Sequence, residues 1–305
     1  MKKILITGGT VFVSKFLAGF FSGEGYDVCV LNRATKEQVP GVTLIKSDRH
    51  DIKDKLKGIR FDCVIDVTAY DSDDVNDLIS ALDGFDQYVM ISSSAVYPET
   101  ETQPFKEDAL LGENVFWGRY GTDKIAAEKA LAAKVPDAYI LRPPYLYGPM
   151  NNVYREAFVF DCAMGNRKFL LPGNGNMKLQ FFHVRDLCRM IQKIIETKPS
   201  CHIFNVGNTE AVTVREWVSL CYGALGKDPE FVSVPKDIPQ RSYFSFYDYE
   251  YFLDVTRQNE ILDHLTDLKE GLAECFEWYK TNSGEVKKKP LLKYIDEDLY
   301  NMGIR

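Results

Sequence analysis

The sequence predicts an α/β chain built on a doubly wound parallel sheet, followed by a smaller α/β lobe. Three observations carry that expectation. Through the first 142 residues, short β-rich runs that are apolar on both faces alternate with helical stripes, the pattern of parallel strands covered on both sides. A glycine pair closes the first run, and a helix-periodic segment follows at once. Beyond it the regularity falls away, with Pro and Gly clustered at 143–144, 148–149 and 172–175.

Residues 2–7 form the first strand, ended by Gly8-Gly9. Residues 12–23 place apolar side chains at 12, 13, 16, 17, 20 and 21, a helical spacing. Strands follow at 26–31, 42–46 and 61–67, the last apolar on both faces. A helix at 71–82 leads to a strand at 87–91. A helix at 125–135 and a strand at 138–141 complete about six strands. Further on, 184–195 is helical and 203–206 reads as a late strand. Thr213 and Glu216 form a capping box in front of a helix at 214–225. The segment 228–256, with Tyr243, Phe244, Phe246, Tyr247, Tyr249, Tyr251 and Phe252, is either a lobe over a ligand or a set of rings packing loops. A terminal helix spans 268–279, and the lysine run 287–289 reads as solvated surface.

The 305 residues divide into a first unit at 1–150 and a lobe at 151–305, with 180–210 returning to the first unit. Lys+Arg 37 against Asp+Glu 44 gives a net charge of −7, which argues against broad nucleic-acid binding. Seven cysteines (29, 63, 162, 188, 201, 221, 275) are widely spaced without a CxxC, and read as reduced residues of a cytoplasmic protein. No run approaches a membrane span, and the apolar start is a strand rather than a signal peptide. The four histidines are dispersed, so no metal site is expected. His183 reads as a packed structural residue.

The run Gly8-Gly9-Thr10-Val11-Phe12-Val13-Ser14 sits where a strand turns into a helix. A dinucleotide turn uses three glycines, for the tight bend, close approach of backbone to pyrophosphate, and helix packing. Here Val11 and Ser14 replace the second and third. Gly8, Gly9, Thr10, Phe12 and Val13 are the candidate cofactor contacts. At the end of the second strand an acid would hold the ribose hydroxyls; Asn32-Arg33 stands there instead, favouring a 2′-phosphate and hence NADP over NAD. Asp48-Arg49, after the third strand, either touches adenine or caps the next helix.

Ser92-Ser93-Ser94 follows the fifth strand, and Tyr120 and Lys124 stand four apart on one helical face. An ammonium beside a phenol lowers its pKa, and a serine across the pocket positions an oxygen. Such a set moves a proton on or off an alcohol while hydride passes to or from its carbon.

These residues resemble the extended short-chain dehydrogenase/reductases, the NAD-dependent epimerase/dehydratase family, in an atypical branch with a divergent glycine motif. The similarity runs through ILITGGTVF at 4–12, VIDVTAY at 64–70, ISSSAVYP at 91–98, YGTDK at 120–124, LRPPYLYGP at 141–149, LPGNGNMKLQFFHVRDL at 171–187, FNVGN at 204–208 and TDLKEGLAECFEWY at 266–279. The resemblance implies a Rossmann-like fold with Tyr120 as catalytic acid or base, Lys124 as its partner and ribose ligand, and Ser93, with Ser94 in reserve, as the active-site hydroxyl. It implies that Thr68 and Ala69 line the cofactor and that Pro143 and Tyr145 lie beside the nicotinamide. Asn151, Asn152, Arg155 and Arg185 match regions that face a nucleotide-sugar, although Arg185 stands where relatives carry an acid.

Dehydratases of this family follow the hydroxyl residue with an Asp-Glu pair, whereas this chain has Ser94-Ala95. The expectation is therefore an NAD(P)-dependent epimerase or reductase acting on a nucleotide-sugar, possible also as a homodimer. The alternative, supported by the altered turn, is a catalytically impaired binding or regulatory protein, either redox-sensing or RNA-associated as in the plastid branch.

Overall fold

The computed structural model describes residues 1–304. In chain order the first unit runs β1 (Lys3–Thr7), α1 (Phe12–Gly23), β2 (Asp27–Asn32), β3 (Thr43–Lys46), β4 (Arg60–Asp66), α2 (Ser72–Ala81), β5 (Gly84–Ile91), α3 (Arg119–Lys134) and β6 (Tyr139–Arg142). The chain continues through β7 (Tyr145–Tyr147), α4 (Glu156–Met164), β8 (Phe169–Pro172), β9 (Lys178–Leu179), β10 (Phe181–His183), α5 (Val184–Thr197), β11 (Ile203–Asn205) and β12 (Val212–Thr213). The chain then forms α6 (Val214–Gly223), β13 (Phe231–Val234), α7 (Thr256–Asn259), α8 (Leu268–Asn282) and α9 (Leu291–Tyr294).

The main sheet is parallel, in the order β11-β6-β5-β4-β1-β2-β3. Ile4 lies opposite Val28 on one side and Cys63 on the other. Because strand side chains alternate, Ile4 and Ile6 join Leu17, Phe21, Leu187 and Ile191 in one layer, while Leu5 joins Val75, Leu78, Ala127 and Leu131 in the other. Both faces are therefore covered, as the two-sided apolar strands require. The reversal of strand order at β1 and β4 opens a crevice at their C-terminal ends, where ligands sit in such sheets.

Local chemistry sets the helix ends. Asp71 caps α2 by accepting from Asp73 and Asp74 amides, and the Thr213–Glu216 box forms as expected. α3 begins at Arg119, six residues earlier than the apolar stripe suggests, because its first turn, Arg119-Tyr120-Gly121-Thr122, carries no apolar stripe. The segment from α5 to β11 returns to the sheet: α5 shares a layer with α1, and β11 pairs with β6. A separate core, including Phe158, Trp217, Phe244, Phe246 and Leu272, fills the lobe. All seven cysteines are free, and only Cys201 is exposed. No helix among the described residues is long and apolar enough to cross a membrane.

One buried ion pair joins the sheet to α3. Arg142 Nη2 donates to Glu128 at 2.6 Å and its Nε at 3.0 Å, while Nη1 donates to the Tyr97 hydroxyl and the Glu107 carbonyl. Breaking such a pair leaves an uncompensated buried charge. Arg142→Met is expected to lower unfolding free energy by about 3–5 kcal/mol, measured by urea denaturation.

Candidate active site

A cavity of about 900 Å³ opens at the crevice. Its floor begins at the turn after β1. Gly8 and Gly9 have φ of 91° and 92°, a region that glycine enters without strain, and a side chain on Gly9 would come within 2.7 Å of Val30. Val11 has extended backbone (φ −140°, ψ 133°) that a β-branched residue accepts readily; the left-handed residue is Phe12, with φ 34°. Ser14 fits because Gly8 has no Cβ, which would meet Ser14 Oγ at 2.8 Å. No side chain caps α1, so its first-turn amides remain available to an anion. These features fit the pyrophosphate of a dinucleotide despite the two substitutions.

Gly121 brings the catalytic candidates together. It lies against the Ala95 carbonyl, which a Cβ there would overlap, so the first turn of α3 rests directly on the loop after β5. Tyr120, Ser93, Ser94 and Lys124 all line the cavity as a result. Ser93 Oγ accepts from the Ala95 amide at 3.2 Å, and Ser94 Oγ donates to the Tyr251 hydroxyl at 3.2 Å. Tyr120 is 42% exposed, but onto a cavity whose walls enclose its phenol. That enclosure raises the phenol above its ordinary pKa, and a hydrogen bond with Ser93 offsets part of the rise. This corrects the expectation of a lowered value. Lys124 is anchored on the sheet rather than on the phenol: its ammonium donates to the carbonyls of Ala69 (2.7 Å) and Ile91 (2.9 Å) and stands 5.2 Å from the Tyr70 ring. Burial pushes its pKa down to about 8, against the pull of Asp66, Glu128 and Asp74.

Of the other expected cofactor contacts, Gly8, Thr10, Phe12, Val13, Arg33, Thr68, Pro143 and Tyr145 line the cavity. Gly9, Asn32 and Ala69 stand behind it. Asn32 shapes the turn rather than facing a ligand, its Nδ2 donating to the Gly8 carbonyl at 2.6 Å and its Oδ1 accepting from Ala34 N. Asp48 caps the following turn at His50 N and, with Arg33, Lys46, Ser47 and Lys55, lines a smaller depression of about 270 Å³. Arg49 requires correction: its guanidinium is bound to Asp66, Thr68 and the Asp74 carbonyl, away from the cavity.

On the lobe side, Asn152 and Arg155 line the cavity, and the Arg155 guanidinium sits 5.0 Å from the Tyr145 ring. Asn151 and Arg185 do not reach it, which corrects their expected roles. Asn151 donates to buried Glu156 at 2.7 Å, and Arg185 forms a two-pronged pair with Glu274 at 2.9 Å. His183 is fully buried and held near pKa 4 by desolvation, hence neutral at pH 7.

Three features escaped the sequence reading. Tyr70, Phe116 and Trp117 line the cavity beside Tyr247 and Tyr251, which gives the aromatic segment a wall of the ligand cavity as well as a share of the lobe core. Lys287, read as solvated surface, also lines it, whereas its neighbour Lys288 pairs with Asp161 at 2.8 Å. Finally, the lining contains Arg33, Lys124, Arg155 and Lys287 and no carboxylate, although the protein carries a net charge of −7. Among the described residues no cluster of His, Cys, Asp and Glu is suited to a metal ion.

The family model described as "NAD dependent epimerase/dehydratase family" matches residues 4–207. The chain belongs to this family. The chloroplast stem-loop binding protein of 41 kDa b of Arabidopsis thaliana is 30% identical, over 90% of this chain and 78% of that protein. A dTDP-4-dehydro-6-deoxy-D-allose reductase of Streptomyces sp is 21% identical, over 92% and 96%. In fold, the chain matches the UDP-glucuronic acid 4-epimerase of Bacillus cereus, solved with UDP-glucuronic acid and NAD, with a TM-score of 0.73 at 19% identity, covering 91% of this chain and 99% of that one.

The depressed Lys124 has a consequence for pH. Its folded pKa lies below its ordinary 10.5, so the unfolded state binds more protons between about 8 and 10.5, and this group's contribution to stability rises with pH across that window. Below about pH 8 the cation is held at full cost. The affinity of an anionic ligand is expected to fall as pH rises through about 8, and Lys124→Met is expected to flatten that step in a fluorescence titration across pH 6.5–9.5.

Proposed function

We propose that the protein is an NAD(P)-dependent epimerase or reductase acting on a nucleotide-sugar. The observation that carries this reading is the single cavity in which the glycine turn, Ser93, Tyr120 and Lys124 meet an acid-free lining of four cations. Such a lining suits a ligand with more than one phosphate. The nucleotide-sugar enzymes among its relatives support the substrate class.

A bound nicotinamide dinucleotide supplies the acceptor and donor of hydride. The chain's own residues do the remaining work. Ser93 and Tyr120 hold the reacting oxygen between two hydroxyls. With its pKa raised, Tyr120 carries its proton at neutral pH and is the acid that reduction of a carbonyl needs; in the reverse direction it accepts that proton. Lys124, fixed on the Ala69 carbonyl after β4 and the Ile91 carbonyl at the end of β5, is placed to meet ribose hydroxyls. Trp117, Tyr247 and Tyr251 exclude water from the sugar side. Elimination of water is disfavoured because Ser94-Ala95 provides no acid and base pair beside Ser93.

Within this reading the cofactor is NAD or NADP, and Arg33 favours NADP. The side chain of Arg33 is 72% exposed and 4.0 Å from Asp48, and the depression it shares with Lys46, Ser47, Lys55 and Asp48 brings three cations and one carboxylate together, a net positive site for a 2′-phosphate. A cytoplasmic location and a homodimer accord with free cysteines and with the family, and form part of the same proposal.

The similarity to a chloroplast stem-loop binding protein favours a second reading, an RNA-associated protein that keeps the scaffold. Titration with NADH and NADPH, followed by turnover against UDP-, GDP- and dTDP-sugars, separates the two. Absence of binding by either cofactor at high micromolar concentration, together with a mobility shift of stem-loop RNA, overturns the enzyme reading. An epimerase regenerates its cofactor, whereas a reductase consumes one per product.

Two variants sharpen the test. Tyr120→Phe is expected to lower kcat by roughly 10²–10⁴-fold with cofactor affinity within about twofold in the same titration. Arg33→Ala is expected to weaken NADPH by about tenfold, through loss of a charge-assisted hydrogen bond, and to leave NADH nearly unchanged; equal loss for both cofactors assigns Arg33 another role.

A further inference from the structure

We propose that the segment after α8 is a strap that completes the ligand cavity, with Lys287 as a contact to a bound diphosphate. The inference rests on the reading of the cavity as a nucleotide site. It assigns a function to a stretch of chain whose sequence carries only a run of surface lysines.

The strap is fastened on both sides of the cavity mouth. After α8 ends at Asn282, a short turn at Ser283–Glu285 puts Glu285 3.7 Å from Lys15 Nζ on α1. Val286 is buried. The Lys287 amide donates to the Asn152 carbonyl at 2.9 Å, and Lys287 forms a parallel bridge with Val153. Lys288 turns to Asp161 on α4. Leu291, Ile295 and Leu299, all buried, anchor the chain beyond. One edge of the strap thus touches the helix that opens at the glycine turn, and the other touches the loop that carries Asn152 and Arg155.

Alternation along the strap separates Lys287 from Lys288 by task. Lys288 is neutralised by a carboxylate, whereas no acidic partner meets the Lys287 side chain among the described residues, and it lines the same cavity as Val11, Phe12, Val13 and Arg155. Placing an unpaired cation among other cations is unfavourable unless an anion arrives there.

The altered turn supplies the reason for the contact. Glycine at the second position of such a turn lets backbone approach a phosphate closely; Val11 interposes a branched side chain. A lysine is a compact charge on a flexible stem and can reach a phosphate held farther from the amides. Lys287 enters from the opposite rim and supplies charge where the turn supplies less.

The test compares Lys287→Gln, Lys287→Arg and the surface control Lys293→Gln with the wild type, by fluorescence titration with NADPH and separately with UDP at two salt concentrations. Lys287→Gln is expected to weaken at least one ligand roughly ten- to hundredfold and to reduce the salt dependence of its binding. Lys287→Arg is expected to restore most of the affinity, and Lys293→Gln to change nothing. Loss confined to NADPH assigns the lysine to the cofactor's diphosphate, and loss confined to UDP assigns it to the substrate's. Wild-type affinity of Lys287→Gln for both ligands overturns the inference while leaving the enzyme reading intact; failure of the wild type to bind either ligand overturns both. A second measurement needs no variant: bound NADPH or UDP is expected to protect the wild type from trypsin cleavage after Lys287, and unchanged cleavage at saturating concentrations of both ligands also overturns the inference.

Discussion

At the end of β4 the carboxylate of Asp66 is fully buried, and a charge in that position is tolerated only when donors surround it. Four groups do so: Thr7 Oγ1 at 2.8 Å, both terminal nitrogens of Arg49 at 2.8 and 2.6 Å, and the Tyr88 hydroxyl. Burial alone would raise the carboxyl, but the guanidinium and the hydrogen bonds hold it below the ordinary carboxylate value. Thr7 Oγ1 in turn accepts from the amides of Val67 and Thr68, and Arg49 also grips Thr68 Oγ1. One ionised group therefore fixes the ends of β1 and β4, the start of the phosphate turn, and the Thr68 wall of the cavity.

The positions of the reacting groups follow from that knot. Ala69 comes directly after the pinned Thr68, and its carbonyl is one of the two that hold Lys124. The other carbonyl belongs to Ile91, at the end of the neighbouring strand. Lys124 consequently bridges two strand ends, and α3 is drawn in until Gly121 meets Ala95. Tyr120 is carried to Ser93 by that approach. A glycine in the first turn of a helix costs helical stability, and here the cost is offset by a helix-to-loop contact that no side chain would permit.

Much of the sheet was legible because periodicity is a local signal. The first helix, at 12–23, matches the observed bounds, and strand after strand falls within a few residues of its expected place. Side-chain partnerships were less legible, since charge and spacing do not identify what a residue meets in the fold. Arg49 and Arg185 look like ligand-binding arginines, yet their partners Asp66 and Glu274 lie 17 and 89 residues away. Asn151 was hidden by a buried glutamate. Lys287 was missed for the converse reason: the bridge with Val153 that brings it to the cavity has no local signature. Two-residue strands such as β9 and β12 exist only through their pairing with each other, so no run in the sequence announces them.

The altered glycine turn shifts the electrostatic design rather than removing it. Extended backbone at Val11 means that the valine is unstrained, and the unusual conformation passes to Phe12. What changes is how near an anion can approach the amides of α1. Against that loss stand the four cations of the lining, none of them locked in a close ion pair. Arg33 faces Asp48 only at 4.0 Å, Lys124 rests on neutral carbonyls and has a lowered pKa, Arg155 lies over an aromatic ring, and Lys287 extends from a backbone bridge. Elsewhere in the protein, arginines such as Arg142 and Arg185 are matched closely by carboxylates. In a chain with excess acid, keeping every carboxylate out of this one cavity preserves an anion-attracting field where the turn itself offers less. The positive charge of the lining thus comes from side chains of four separate parts of the fold rather than from the backbone of a single loop.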